Sequence, residues 1–144
     1  MHGIEHNGDE ELTLLELVLQ LHGEFRRSLE PIRVTPLQAG VLLYLHRHRD
    51  AKLMDAAAAL RVRQPTLSEV VNGLVRKRWV TKRRSVMDPR AVCLSLSRRG
   101  LVLTRKIEAH VRQVSTVVAA NKDLTAAGLT RLHRVPDKNK EASS

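Results

Sequence analysis

The hydrophobic period of this chain changes between residues 63 and 97, and that change limits the folds open to it. From Arg63 to Lys77 the apolar residues Leu67, Val70, Val71 and Leu74 stand at i, i+3, i+4 and i+7, along one face of a helix. Gln64, Ser68, Glu69, Asn72 and Arg76 take the opposite face. After Trp79 the period falls to two. Val92, Leu94 and Leu96 alternate with Cys93, Ser95 and Ser97, the pattern of a half-buried strand. Val80 to Ser85, carrying Lys82, Arg83 and Arg84, is the expected partner strand. Val86-Met87-Asp88-Pro89-Arg90 is the turn between them, because Asp and Pro both favour one.

A polar-faced helix followed by a basic hairpin is the pattern of a winged helix-turn-helix, and the flanking sequence agrees. Asp55 to Leu60 is short and alanine-rich, suited to the first helix of the unit, with its turn at Arg61-Val62-Arg63. Ala51-Lys52-Leu53 is a candidate third strand for the wing sheet. Thr35-Pro36 reads as an N-cap followed by proline at the first helical position, opening a helix through Leu37, Val41, Leu42 and Leu45 to about His48. Upstream, a helix is expected from Asp9 to Glu30, with Asp9, Glu10 and Glu11 at its start and Arg26 and Arg27 near its end, matching the macrodipole. Its apolar residues (Leu12, Leu14, Leu15, Leu17, Val18, Leu19, Leu21 and Phe25) surround more than one face, which calls for a partner chain. Downstream, Ser97 is the expected cap of a long helix through Leu103, Ile107, Val111, Val114 and Val118, followed by a short one from Thr125 to Val135. The expected architecture is mainly α with a small β-wing: a winged helix-turn-helix over 35–97, flanked by dimerisation helices at 9–30 and 98–135. Residues 1–8 and 136–144 are expected to be flexible tails around this single domain of 1–144.

Charge falls on the same segment. The net charge is +10, but residues 61–112 alone hold fourteen Lys and Arg against three Asp and Glu, a balance of +11, while residues 1–60 balance to −3. Clustering on the helix and hairpin points to double-stranded DNA rather than to an ordinary solvated face. Aromatics make up 2% of the chain, so the core must be built from Leu, Val and Ala, and stacking platforms for single-stranded nucleic acid are scarce. No apolar run approaches the ~20 residues of a membrane span, and Met1-His2-Gly3-Ile4-Glu5 lacks the features of a signal peptide, so a cytoplasmic protein is expected. Cys93 is the one cysteine, which excludes an internal disulfide. No glycine-rich phosphate loop, nucleophile–histidine pair or paired carboxylates suggest an enzyme, and no cofactor is implied. His46 and His48, two apart on a helix, diverge by ~200° and cannot chelate one metal ion.

The order Gln64-Pro65-Thr66-Leu67-Ser68, then Asp88-x-Arg90, then Leu94-Ser95-Leu96-Ser97-x-x-Gly100 resembles the MarR family of bacterial transcription regulators. The resemblance covers roughly residues 10–135. It implies a homodimeric DNA-binding regulator, a repressor, whose two recognition helices meet half-sites of a pseudo-palindrome about one turn, ~10 bp, apart. Gln64, Thr66, Ser68, Glu69 and Asn72 would face the major groove, where Asn and Gln suit adenine and Glu can accept from cytosine N4. Glu69 either reads a cytosine or pairs with a neighbouring base such as Arg63. Arg76 lies on the same face, and Lys82, Arg83, Arg84 and Arg90 belong to the wing. By resemblance Arg90 enters the minor groove oriented by Asp88; the alternative is that Asp88 only staples the turn. The family commonly binds small aromatic or phenolic effectors between the dimerisation helices and the winged domain. Phe25, Arg26, Tyr44 and His48 are candidates to line such a pocket, with Phe25 and Tyr44 equally readable as core.

Some positions depart from the family pattern. Arg61 and Arg78 stand where glycine commonly ends a helix, positions at which a left-handed backbone strains any other residue. Arg63 replaces a frequent serine cap, and Gly128 an acidic residue after Thr125. Competing functions are a winged-helix protein-interaction module and a non-specific DNA-binding protein; the first conflicts with the +11 segment.

Overall fold

The computed structural model describes residues 2–120. The short helix expected from Thr125 and the tail after Pro136 lie outside the described residues. In chain order the elements are α1 (His2–Leu29), α2 (Pro36–Arg47), β1 (Ala51–Lys52), α3 (Leu53–Ala59), α4 (Gln64–Arg76), β2 (Val80–Arg84), β3 (Val92–Leu96) and α5 (Arg98–Ala120). The first helix begins well ahead of Asp9, so the segment expected as a loose N-terminal tail is helical from His2 onward. Phe25–Arg112 forms one compact unit, and the outer parts of α1 and α5 belong to a second.

Within Phe25–Arg112 each boundary has a local cause. Pro31 cannot continue α1, which passes into a single 3-10 turn over Glu30–Ile32 and reverses at Arg33, whose φ is 55°. Thr35 then caps α2 through a reciprocal pair. Its Oγ1 accepts from the Gln38 N–H at 3.2 Å, and its own N–H donates to Gln38 Oε1 at 3.0 Å. By contrast α4 starts at Arg63 with no side-chain cap, so Pro65 in its first turn supplies the start signal.

The three strands form an antiparallel sheet in the order β1-β3-β2. Val80 faces Leu96 and Arg84 faces Val92, while Ala51 and Lys52 pair with Leu94 and Cys93 on the other side of β3. Because β3 is the central strand, its burial is not a clean alternation: Cys93 and Leu94 are both buried. The core beneath is aliphatic, as the composition requires. Val41, Leu42 and Leu45 of α2 meet Ala56 and Ala57 of α3, Leu67, Val71 and Leu74 of α4, Val80, Leu94, and Leu29 and Ile107 of the flanking helices. Phe25, Tyr44 and Trp79 pack only at its edge.

The junction of the sheet with α5 explains Ser97-x-x-Gly100. Ser97 Oγ accepts from the Gly100 N–H at 3.0 Å, capping α5, and donates to the Arg78 carbonyl at 2.6 Å. The Ser97 N–H donates to the Trp79 carbonyl at 3.0 Å. That carbonyl lies so close to Gly100 that a Cβ there would stand 1.9 Å from its oxygen. Glycine is required here for space, not for a positive φ.

In the second unit, α1 leaves Leu15, Val18 and Leu19 about half exposed or more. No described helix is long and apolar enough to cross a membrane.

Candidate nucleic-acid interface

The apolar stripe of α4 is consumed by the core: Leu67, Val71 and Leu74 are at most 1% exposed. What remains outside is the polar face. Gln64, Thr66, Glu69 and Arg76 are exposed, as is Arg63 at the N-cap, while Ser68 and Asn72 are half-buried beside them. The helix N-terminus, the part that usually reaches base edges in this motif, is thus lined by Arg63, Gln64 and Thr66. Among the described residues Glu69 makes no ion pair, so the pairing with Arg63 considered from sequence is not formed.

The wing brings four cations alongside, in unequal states. Lys82 Nζ donates to Asn72 Oδ1 at 3.0 Å and so ties β2 to the middle of α4. Arg83 is held by Asp50, Nη2 to Oδ1 at 2.9 Å, and Ser95 Oγ donates to the same oxygen at 2.9 Å. The Ser95 hydrogen bond and the Arg83 guanidinium together hold the Asp50 carboxyl below the ordinary carboxylate range. Arg84 and Arg90 are exposed and form no ion pair among the described residues. Asp88 Oδ1 accepts from the backbone N–H of Arg90 at 3.0 Å, which is the turn-stapling arrangement; the Arg90 side chain is left to solvent. Ser85 Oγ accepts from the N–H groups of Met87 and Asp88, completing a knitted tip.

Sequence reasoning missed three features here. Asp50 engages Arg83 from the other edge of the sheet, a pairing created by strand order and invisible to local spacing. Val86 and Met87 stand 89% and 93% exposed at the wing tip, although their place in a turn between two basic stretches was on view in the sequence. Arg61 and Arg78, which stand where glycine commonly ends a helix, adopt the left-handed conformation at φ of 56° and 63°, and Arg33 and Asp50 do so at 55° and 51° with no sequence signal to announce it.

The candidate effector residues are only partly brought together. Tyr44 stacks on His48 with ring centroids 4.3 Å apart, Phe25 lies at the edge of the core, and Arg26 is exposed. None of the four lines the 470 Å³ cleft between the end of α2, β3 and the start of α5, which Leu45, Leu96, Leu101, Arg49, Arg98 and Arg105 border. Trp79 is half-buried, with Lys77 Nζ 4.8 Å from the centre of its ring. Among the described residues no three His, Cys, Asp or Glu side chains converge in a way that could hold a metal ion.

Comparison with known proteins agrees with this geometry. The MarR family model matches residues 34–91, the span from just before α2 to the turn between β2 and β3. The HTH-type transcriptional repressor MdtR of Bacillus subtilis (strain 168) is 28% identical over 92 residues, 64% of this chain, and the match spans 59% of the repressor's length. An E. coli MarR mutant complexed with operator DNA superposes with a TM-score of 0.77 at 22% identity, covering 86% of this chain and 91% of that one. The PcaV transcriptional regulator of Streptomyces coelicolor, in complex with its natural ligand, superposes at 0.72 with 23% identity over 85% and 91% of the two chains. The MarR family model thus falls on the winged helix-turn-helix of this chain, and the solved MarR-family structures share its fold.

Proposed function

We propose that the protein is a dimeric, sequence-specific DNA-binding regulator, a repressor that recognises a pseudo-palindromic operator and releases it in response to a small ligand. The observation that carries the reading is the pairing of an exposed polar face on α4 with exposed cations on the adjoining wing, inside a segment whose balance is +11. In this reading Gln64, Thr66, Ser68, Glu69 and Asn72 face base edges. Arg63, Arg76, Lys82, Arg83 and Arg84 provide the electrostatic surface, and Arg90, on a turn stapled by Asp88, reaches the minor groove. The B. subtilis relative is named a repressor, and the E. coli MarR neighbour is a complex with operator DNA. Dimerisation is supported by the exposed Leu15, Val18 and Leu19 of α1, an apolar group that a second copy would cover. Effector control rests on the PcaV likeness, with a small aromatic or phenolic ligand as the expected class and Phe25, Arg26, Tyr44 and His48 as its candidate contacts.

The test is titration of the purified protein against its own upstream DNA and a scrambled duplex at two salt concentrations. Operator reading predicts a preference of ~10³ or more for the upstream DNA. Equal, steeply salt-dependent binding to both duplexes would leave a non-specific DNA-binding protein. Absence of binding to either would make a protein-interaction module the better reading.

A further inference from the structure

The bond between the wing and the recognition helix determines what Asn72 can read. Lysine carries three donors and no acceptor, so of the two ends of the Asn72 amide only Oδ1 can face Lys82 Nζ, at 3.0 Å. The amide nitrogen, with its two donors, is then the end left for another partner. Strand geometry makes this contact systematic: Val80 and Lys82 share one face of β2, and Val80 is buried at 2% exposure. Asn72, half-buried, follows Val71 of the buried stripe, so both partners approach along an existing packing seam. Lys82 thus has a partner within the protein, in an exposed bond, and differs from Arg84 and Arg90, which form no ion pair among the described residues.

An asparagine reads adenine by a bidentate pair, accepting from N6 with Oδ1 and donating to N7 with its amide. With the ammonium seated on Oδ1, the adenine N6 amino group would have to approach beside another donor. Guanine O6 and N7 and thymine O4 are acceptors, and they meet an amide that offers only hydrogens without that conflict. We propose that Asn72 is a donor-only reader that selects guanine or thymine over adenine, and that Lys82 is a positioning residue rather than a phosphate-binding cation. This rests on the operator-reading function proposed above.

The experiment is selection of bound sequences from a random duplex library with the wild-type protein and four variants, followed by affinity measurements on the resulting consensus. Asn72→Ala should erase preference at one position of each half-site, where the wild type takes guanine or thymine over adenine by about tenfold. Asn72→Asp, which keeps the acceptor but loses the donors, should erase the same preference. Lys82→Met should turn that position toward adenine, since it frees Oδ1, while Lys82→Arg, which retains a donor, should keep the wild-type choice. A wild-type preference for adenine at the Asn72-dependent position would overturn the inference. So would a Lys82→Met protein with unchanged base choice and a salt slope flatter by about one unit, the mark of a lost phosphate contact. A consensus that Asn72→Ala leaves intact removes this inference alone. A wild-type protein that enriches no sequence removes operator reading and this inference with it.

Discussion

Replacing Gly100 by alanine tests how the wing is joined to α5. An added Cβ would stand 1.9 Å from the Trp79 carbonyl oxygen and 2.9 Å from its carbon. Since Cβ contacts under 3.0 Å essentially do not occur, the two backbones must part by at least about 1.1 Å. The obstacle is backbone, so no side-chain rotation relieves it. That movement stretches the bond from the Ser97 N–H to the Trp79 carbonyl beyond hydrogen-bonding range, from 3.0 Å, and strains the bond from Ser97 Oγ to the Arg78 carbonyl, at 2.6 Å. Overpacking of this kind costs about 1–3 kcal/mol, and a lost bond at a half-buried junction adds about 1 kcal/mol. The expected total is about 3 kcal/mol, a large share of the ~5–15 kcal/mol of a typical domain. Urea unfolding at fixed protein concentration should show a lower midpoint with an unchanged slope, and the melting temperature should fall by about 10 °C. Gly40→Ala is the matched control: in α2 its Cβ would meet only Leu60 Cδ2, at 3.8 Å, so it should stabilise by about 0.5–1 kcal/mol. If Gly100→Ala left the midpoint within about 0.5 kcal/mol of wild type, the close approach would not constrain this junction.

Asp50→Asn keeps a residue that tolerates the local φ of 51° but removes the carboxylate that holds Arg83. Non-specific DNA affinity should rise and the salt slope steepen by about one unit, read by titration at several salt concentrations. The same variant carries a pH signature. The Asp50 carboxyl is depressed in the folded state, so its contribution is present above the unfolded value of ~3.9 and is lost as pH falls through the lower folded value. Acid unfolding below about pH 4 should therefore be less pH-dependent in Asp50→Asn. Arg78→Gly relieves a left-handed arginine at φ 63° and should stabilise by about 0.5–1 kcal/mol in thermal melts. Leu19→Glu, at a position 61% exposed on α1, should shift sedimentation toward monomer without lowering the helix content seen by circular dichroism.

The winged helix-turn-helix was legible because each of its elements carries a local signature. The stripe Leu67, Val71 and Leu74 is buried as its spacing requires, and Thr35 caps α2 ahead of Pro36 as that pair suggests. Ser97 caps α5 as its position before the periodic segment suggests. Properties that depend on strand order were not legible. The Asp50–Arg83–Ser95 cluster spans both edges of the sheet, and Cys93 is buried because β3 is central. The early start of α1 escaped because Met1–Gly8 has no apolar period, so the helix there had no pattern to announce it. Of the candidate site, the exposed face of α4 and the stapled turn at Asp88 could be foreseen. The division of the wing cations into the tethered Lys82 and Arg83 and the Arg84 and Arg90 that form no ion pair among the described residues could not, because partners on an adjoining helix and beyond the far edge strand leave no trace in spacing.

Arg61 and Arg78 bracket α4, one in the turn before it and one in the turn after, both exposed and both in a conformation that suits glycine. Strain of about 1–2 kcal/mol at each end means that the segment presenting the helix gives up stability at the same positions where it gains positive charge. Any polyanion that binds the folded state more tightly than the unfolded one offsets that loss by mass action. In a cell, where proteases and chaperones sample whatever unfolds, a shift of that size changes abundance several-fold. Occupied and unoccupied protein would then differ in lifetime as well as in place, and the bound polyanion would set how much of the protein persists.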